Sequence, residues 1–275
     1  MTVLSLGYSP CPNDTFIFCA MTRGRIPDAP RCREVLEDIE TLNAMALERK
    51  LDLTKISFHA LGYVRDHYVL LRAGGALGRG CGPLVVSREP LQPERLKGKK
   101  IAVPGRLTTA ALLLRLFDPA LDRLIYLPFD EIMPACERGD VDAGVIIHES
   151  RFTFAEYGLS KVIDLGAWWE DETGHPIPLG GILARRDLGG AMHECLDRSI
   201  RSSIEYAYAH PDEVRPYIRR HAQEMDETVM QQHIDLYVNR YSLQYGDDGE
   251  AAIQDLYARA EDVGIVPVSE LALFE

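Results

Sequence analysis

Residues 1–24 read MTVLSLGYSPCPNDTFIFCAMTRG, and the fold class turns on them. TVLSLGY alternates like a short strand, and the two prolines of SPCPND exclude a helix there. Asn13 or Asp14 stands where a cap is wanted for the helix that follows, TFIFCAMTRG. A strand, a tight loop and a helix N-terminus succeed one another, and the succession recurs along the chain. VLEDIETLNAMALERK places Leu36, Ile39, Leu42, Met45 and Ala46 at helical spacing, and LTKISF follows as a buried strand. IAVP leads into the apolar helix GRLTTAALLLRLF, and RLIYLP with DEIMPACERGDVDAGVIIHES repeats the pattern. This alternation predicts an α/β fold. After GAWWEDETGHPIPLGGILARRDL helices dominate, with Leu196, Ile200, Ile204, Tyr208 and Ala209 marking one helical face. The predicted organisation is a smaller α/β lobe, residues 88–178, inserted into a larger discontinuous lobe of residues 1–87 and 179–275.

The chain has 275 residues, 46% of them hydrophobic, enough for about two domains at roughly 150 residues each. Its net charge is −12, and residues 191–275 hold 7 Arg against 17 Asp plus Glu. That balance argues against nucleic acid, which needs a basic face. It leaves a near-neutral first part in which local donors can still hold a small anion. No run approaches the roughly 18 apolar residues of a membrane span. Six cysteines, at 11, 19, 32, 81, 136 and 195, form no C-x-x-C pair. With no basic leader before Ser9 and Pro10, a reduced, cytoplasmic setting is expected.

The glycines of AGGALGRGCGPLVVS, residues 73–87, suggest a dinucleotide loop only at first sight. They are read as following a helical stretch, YVLLRAG, and running into the strand-like PLVVS. A phosphate loop needs the reverse order, so they are expected to shape a turn or to let backbone approach a ligand. No histidine forms H-E-x-x-H, since HECLDR at 193 lacks the second one, and no metal site is expected.

In open α/β sheets ligands bind beyond the carboxyl ends of strands. Asn13 and Asp14, Lys55 to Ser57, Thr108 and Thr109, and His148 occupy such places. At Thr108 and Thr109 two hydroxyls and the free N–H groups of a helix start offer a carboxylate or phosphate site, and the competing reading is plain N-capping. His148 follows the apolar AGVII, where an imidazole can serve as a base near neutral pH or as a hydrogen-bonded structural residue. Cys11, in its proline-bracketed loop, is read as a packing residue rather than a nucleophile, and Trp168 and Trp169 as packing at the lobe junction.

Taken together, LSLGYSPCPNDTFIF, EDIETLN, LTKISFHA, GGALGRGCGPLVVS, VPGRLTTA, VIIHESRFT, LGAWWEDETG and PLGGILARRDLG resemble the 1,4-dihydroxy-6-naphthoate synthase family of the futalosine route to menaquinone, across essentially the whole chain. The resemblance implies a two-lobed fold like that of type 2 periplasmic binding proteins, with the active site in the interlobe cleft. It implies cofactor-independent cleavage of cyclic dehypoxanthine futalosine, an aromatic carboxylate, into 1,4-dihydroxy-6-naphthoate and dihydroxyacetone. The histidine of the IIHE motif, His148, is the implied proton acceptor. Implied substrate contacts are Lys55, Ile56 and Ser57, and Thr109 with Ala110 beside Thr108; Asp14, Asn43 and Arg79 stand in matching blocks. Two alternatives are chorismate dehydratase of the same pathway and a non-catalytic binding protein for a small carboxylate.

Overall fold

The computed structural model describes residues 3–222 and 226–274. Two mixed sheets organise it. The first contains β1 (Leu4–Tyr8), β2 (Cys32–Leu36), β3 (Leu53–Ser57), β4 (Tyr68–Leu70), β5 (Ala76–Gly78) and, after an excursion, β11 (Ile177–Arg185). Its order is β2-β1-β3-β11-β4, with β5 also on β11. The second contains β6 (Leu84–Ser87), β7 (Ile101–Val103), β8 (Leu124–Tyr126), β9 (Ala143–Ile146) and β10 (Ser160–Asp164), in the order β10-β6-β9-β7-β8. β1 runs parallel to β2 and β3, and β7 to β8 and β9, whereas β11 and β6 are antiparallel to their neighbours. Each sheet is the centre of one lobe.

Every residue of β1 and β3 is buried, as expected of central strands covered on both faces. A continuous apolar cluster runs from Leu42, Ile56 and Phe58 of the first lobe through Leu112 and Leu113 to Val85 and Ile101 of the second, so the lobes meet over packed side chains. The helix Thr109–Phe117 supplies the middle of that cluster.

Several sequence expectations change here. β6 belongs to the second sheet, so the chain first crosses between lobes within residues 79–83, earlier than the expected boundary after residue 87. It returns within residues 165–176. Leu36 ends a strand rather than opening a helix, and the helix Ile39–Leu47 starts where Asp38 accepts from the N–H groups of Glu40 and Thr41. YVLLRAG is strand β4 and its exit, not a helix; β-branched and leucine runs this short fit either state. In the helix Gly190–Ala209 the buried stripe is Leu196, Ile200, Ile204 and Ala207, with Tyr208 49% exposed.

The glycine-rich stretch makes close approaches. Gly82 lies against Gly166, and a Cβ on Gly82 would come within 2.3 Å of the Gly166 Cα.

Candidate active site

A cleft between the lobes is lined by Ser9, Asn13, Asp14, Lys55 and Ser57 on one side and by Thr108, Thr109, Ala110, Ile147 and His148 on the other, with Leu179, Gly180 and His233 between them. The period of two along β3 turns Lys55 and Ser57 to this cleft and Ile56 to the opposite face, where Ile56 joins the apolar core. Of the three residues implied together, two reach the cleft.

The first helix begins at Pro12, a residue suited to the first helical position, with Cys11 as N-cap making no side-chain cap bond. Asn13 and Asp14 therefore lie inside the first turn, and their side chains serve the cleft instead of capping. Lys55 Nζ donates to Asp14 Oδ1 at 2.8 Å and to the Gly74 carbonyl at 3.1 Å. Asp14 also accepts from Ser9 Oγ at 2.8 Å and Asn13 Nδ2 at 2.9 Å. Both members of this ion pair are buried, and a buried pair persists only with further hydrogen bonds: Asp14 takes them from Ser9 and Asn13, and Lys55 gives one to Gly74.

Ser57 Oγ accepts from Asn43 Nδ2 at 3.2 Å, and the Ser57 N–H donates to Asn43 Oδ1 at 3.0 Å. That leaves the Ser57 hydroxyl hydrogen free to donate into the cleft. Asn43 is not a wall of the cleft. It is fully buried behind Ser57 and also donates to the Leu107 carbonyl of the other lobe. Glu40, one helical turn earlier, accepts from the N–H groups of Arg106 and Leu107. The pair braces the loop that starts the helix Thr109–Phe117.

At that helix start, Thr108 is the N-cap. Its Oγ1 accepts from the Ala111 N–H at 3.2 Å, and its carbonyl is 3.1 Å from Nδ1 of the buried His59. Burial drives His59 down to about 4, against the opposing pull of that carbonyl, so the ring is neutral and Nδ1 is the donor. Thr109 Oγ1 donates to the Leu179 carbonyl. Both readings of these threonines hold in part: their hydroxyls are engaged within the protein, while the first N–H groups of the helix have no intrahelical acceptor and the dipole there favours an anion. Arg79 lies outside the cleft, exposed at the first crossing, donating to the Gly174 carbonyl at 2.7 Å and facing Glu170 at 3.6 Å.

His148 lies two residues beyond the end of β9 and has φ of +56°, the left-handed region that a β-carbon disfavours. Such a backbone turns its ring off the strand line and into the cleft, edge-on to Phe129 and stacked on His233, with centroids 6.0 Å apart and planes within 9°. Burial lowers its pKa below the ordinary imidazole value, and His233 and Lys55 add to this against the carboxylates of Glu149 and Asp14. The neutral ring can accept a proton. Cys11 Sγ is 3.9 Å from His148 Nδ1; burial pushes that thiol well up, so it is no thiolate nucleophile. Trp169 is buried with Nε1 on the Pro176 carbonyl, and Trp168 packs on Phe117; neither lines the cleft.

Sequence reading missed His233, Glu149 and Ser9. His233 sits with Met230, Ile234 and Tyr237 on the buried face of the helix Glu227–Tyr237, and one polar residue in an apolar stripe was the available signal. Glu149 Oε2 lies 3.5 Å from His233 Nδ1. No helix among the described residues is long and apolar enough to cross a membrane, and no group of three or more His, Cys, Asp or Glu among them could hold a metal.

Comparison with known proteins gives a consistent family. A family described as menaquinone biosynthesis matches residues 4–262. The chain is 53% identical over 274 residues to a 1,4-dihydroxy-6-naphthoate synthase of Thermus thermophilus, covering 100% of both, and 48% identical to one of Streptomyces coelicolor, covering 96% of this chain and 95% of the relative. A crystal structure of an Archaeoglobus fulgidus protein superposes with a TM-score of 0.90 at 38% identity, covering 96% of this chain and 98% of that one. The aliphatic sulphonate binding protein of Escherichia coli, at 14% identity, superposes with a TM-score of 0.67 over 98% of this chain and 90% of its own, which shows the periplasmic-binding-protein fold alone.

Proposed function

The chain belongs to the menaquinone-biosynthesis family, an enzyme of that route, and on this premise we propose that it cleaves cyclic dehypoxanthine futalosine into 1,4-dihydroxy-6-naphthoate and dihydroxyacetone, with His148 as general base. The observation that carries the reading is a neutral imidazole, held by an uncommon backbone angle, facing a wall of donors across one cleft. The substrate's aromatic carboxylate takes the Ser57 hydroxyl and the N–H groups at the start of the helix Thr109–Phe117. His148 then accepts the proton of a hydroxyl beside the scissile bond. The O–H electrons close a carbonyl on the three-carbon fragment, and the carbon–carbon pair passes into the ring system as an aromatising enolate. Packed lobes keep water from that enolate. A bare binding protein needs the donors but gains nothing from a strained, neutral histidine.

The test is incubation of the purified protein with cyclic dehypoxanthine futalosine and, separately, with chorismate, products being followed by mass spectrometry. Release of the naphthoate from the first alone is expected. Turnover of chorismate, or binding without turnover of either, would replace this reading with one of its rivals.

A further inference from the structure

His233 is fully buried, and both of its ring nitrogens have their neighbours fixed. Nε2 lies 3.0 Å from Asn13 Oδ1. The Asn13 amide cannot be turned the other way, because its Nδ2 donates to Asp14 Oδ1, a carboxylate already holding Lys55. Asn13 therefore presents an acceptor, and Nε2 of His233 carries a proton. Nδ1 faces Glu149 Oε2 across 3.5 Å, and neither atom has a hydrogen-bond partner elsewhere. A neutral ring with its proton on Nε2 would set a bare lone pair against a carboxylate oxygen, two buried acceptors with nothing between them.

We propose that His233 and Glu149 share one further proton across the cleft, and that this proton cancels the Glu149 carboxylate as seen by His148, keeping His148 in the neutral form that a base requires. The inference rests on the reading of His148 as base. Glu149 is the next residue to His148 in the chain, and a bare carboxylate there would favour the imidazolium. His233, stacked at 6.0 Å, supplies the compensating charge. Other titratable groups around the pair are Asp14 and Lys55, which neutralise each other, the Cys11 thiol, and Tyr237, whose ring lies 4.7 Å from that of His233. Glu149 follows a strand of the second lobe, whereas His233 stands on a helix packed on the first helix of the other lobe. The shared proton thus exists only with the lobes together. His233 and Glu149 are positioning residues here, acting through His148.

Nitrogen-15 NMR of histidine-labelled protein tests this without substrate. At pH 7 both His233 nitrogens should read as protonated, and in Glu149→Gln its Nδ1 should become bare, since the glutamine amide donates to it. His233→Gln should raise the His148 titration midpoint by about one pH unit or more. Adding Glu149→Gln to it should return the midpoint to near the wild-type value, a reversal that mere loss of packing would not give. A bare Nδ1 in the wild-type protein, or an unmoved His148 midpoint in His233→Gln, would overturn the proposal. Should His233→Gln fail to fold, the Nδ1 signal in the wild type and in Glu149→Gln decides it. In turnover, the acid limb of kcat/KM should follow the same pattern. A protein inert toward cyclic dehypoxanthine futalosine would refute the assigned reaction, and the nitrogen signals would still decide where the proton sits.

Discussion

The wall around Lys55 and Ser57 and the wall around His148 differ in how far their polar atoms are satisfied. On the first, Asp14 accepts four hydrogen bonds, Lys55 has two acceptors and Ser57 is clamped by Asn43. On the second, a non-glycine residue takes a left-handed backbone and a carboxylate faces an imidazole with no other partner for the facing atoms. A wall that only has to hold a substrate can be closed and rigid. A wall that has to accept a proton keeps a strained backbone angle, and functional sites are where such strain collects.

If that contrast is right, damage to the first wall should cost stability or binding, and damage to the second should cost chemistry. The largest stability effect is expected for Asp14→Ala, which strands the buried Lys55 ammonium: a loss of about 3–5 kcal/mol in urea unfolding. A loss below about 1 kcal/mol would show that water reaches Lys55. Ser57→Ala removes a hydroxyl left free to donate to an anion and should weaken product binding by about 1.5–3 kcal/mol in calorimetry. Thr109→Val should weaken it less, because the Thr109 proton is already given to Leu179. Equal effects would mean that Thr109 turns to the ligand on binding.

Acid titration probes the second wall. Burial lowers the His148 pKa, so its contribution to stability is complete above the ordinary value of about 6.5 and is lost as pH falls through 6.5 toward the folded value. Burial pushes the Glu149 carboxyl up, but the facing His233 and the nearby His148 more than reverse this and bring it to about 2. Its stabilisation is therefore present above the ordinary 4.5 and lost as pH falls toward about 2. His148→Asn should reduce the upper part of the acid destabilisation, below pH 6.5, leaving the share that the buried His59 contributes down to about 4 and leaving the lower part that Glu149 contributes. Unchanged stability curves in this range would contradict a buried neutral His148. The smallest effect concerns backbone alone: His148→Gly should be more stable than His148→Ala by about 1 kcal/mol, the reverse of the order in a helix. Calorimetric melting of the two variants checks it.

Much of the anion-holding part of the cleft, on both sides of it, was legible because strand ends and helix starts advertise themselves. Lys55, Ser57 and Thr108 to Ala110 follow from apolar runs that stop at polar residues, and the α/β alternation follows from the same runs. Strands β2 and β4 were not legible: CREVL does not alternate and its Leu36 falls in register with the helical spacing of Ile39 and Leu42, and YVL is too short to show a period. Nor was the strand order that moves β6 into the second sheet, which depends on partners distant in sequence. Ile56 and Arg79 illustrate the limit of matching blocks: Ile56 stands between two residues of the cleft yet faces the core, and Arg79 faces the lobe crossing. His233 escaped because its partners, Asn13 and Glu149, lie far from it in the chain and meet it only in the folded protein.

The central claim is tested most directly by single-turnover kinetics of His148→Asn with cyclic dehypoxanthine futalosine, alongside product binding by the same protein. Asparagine tolerates the left-handed backbone and fills part of the space, so the fold and the affinity for 1,4-dihydroxy-6-naphthoate should remain close to wild type. The rate of the chemical step should fall by at least about 10²-fold, as expected on removing a general base. A folded His148→Asn protein that binds product and cleaves substrate at the wild-type rate would contradict the assignment of His148 and the division of labour between the two walls.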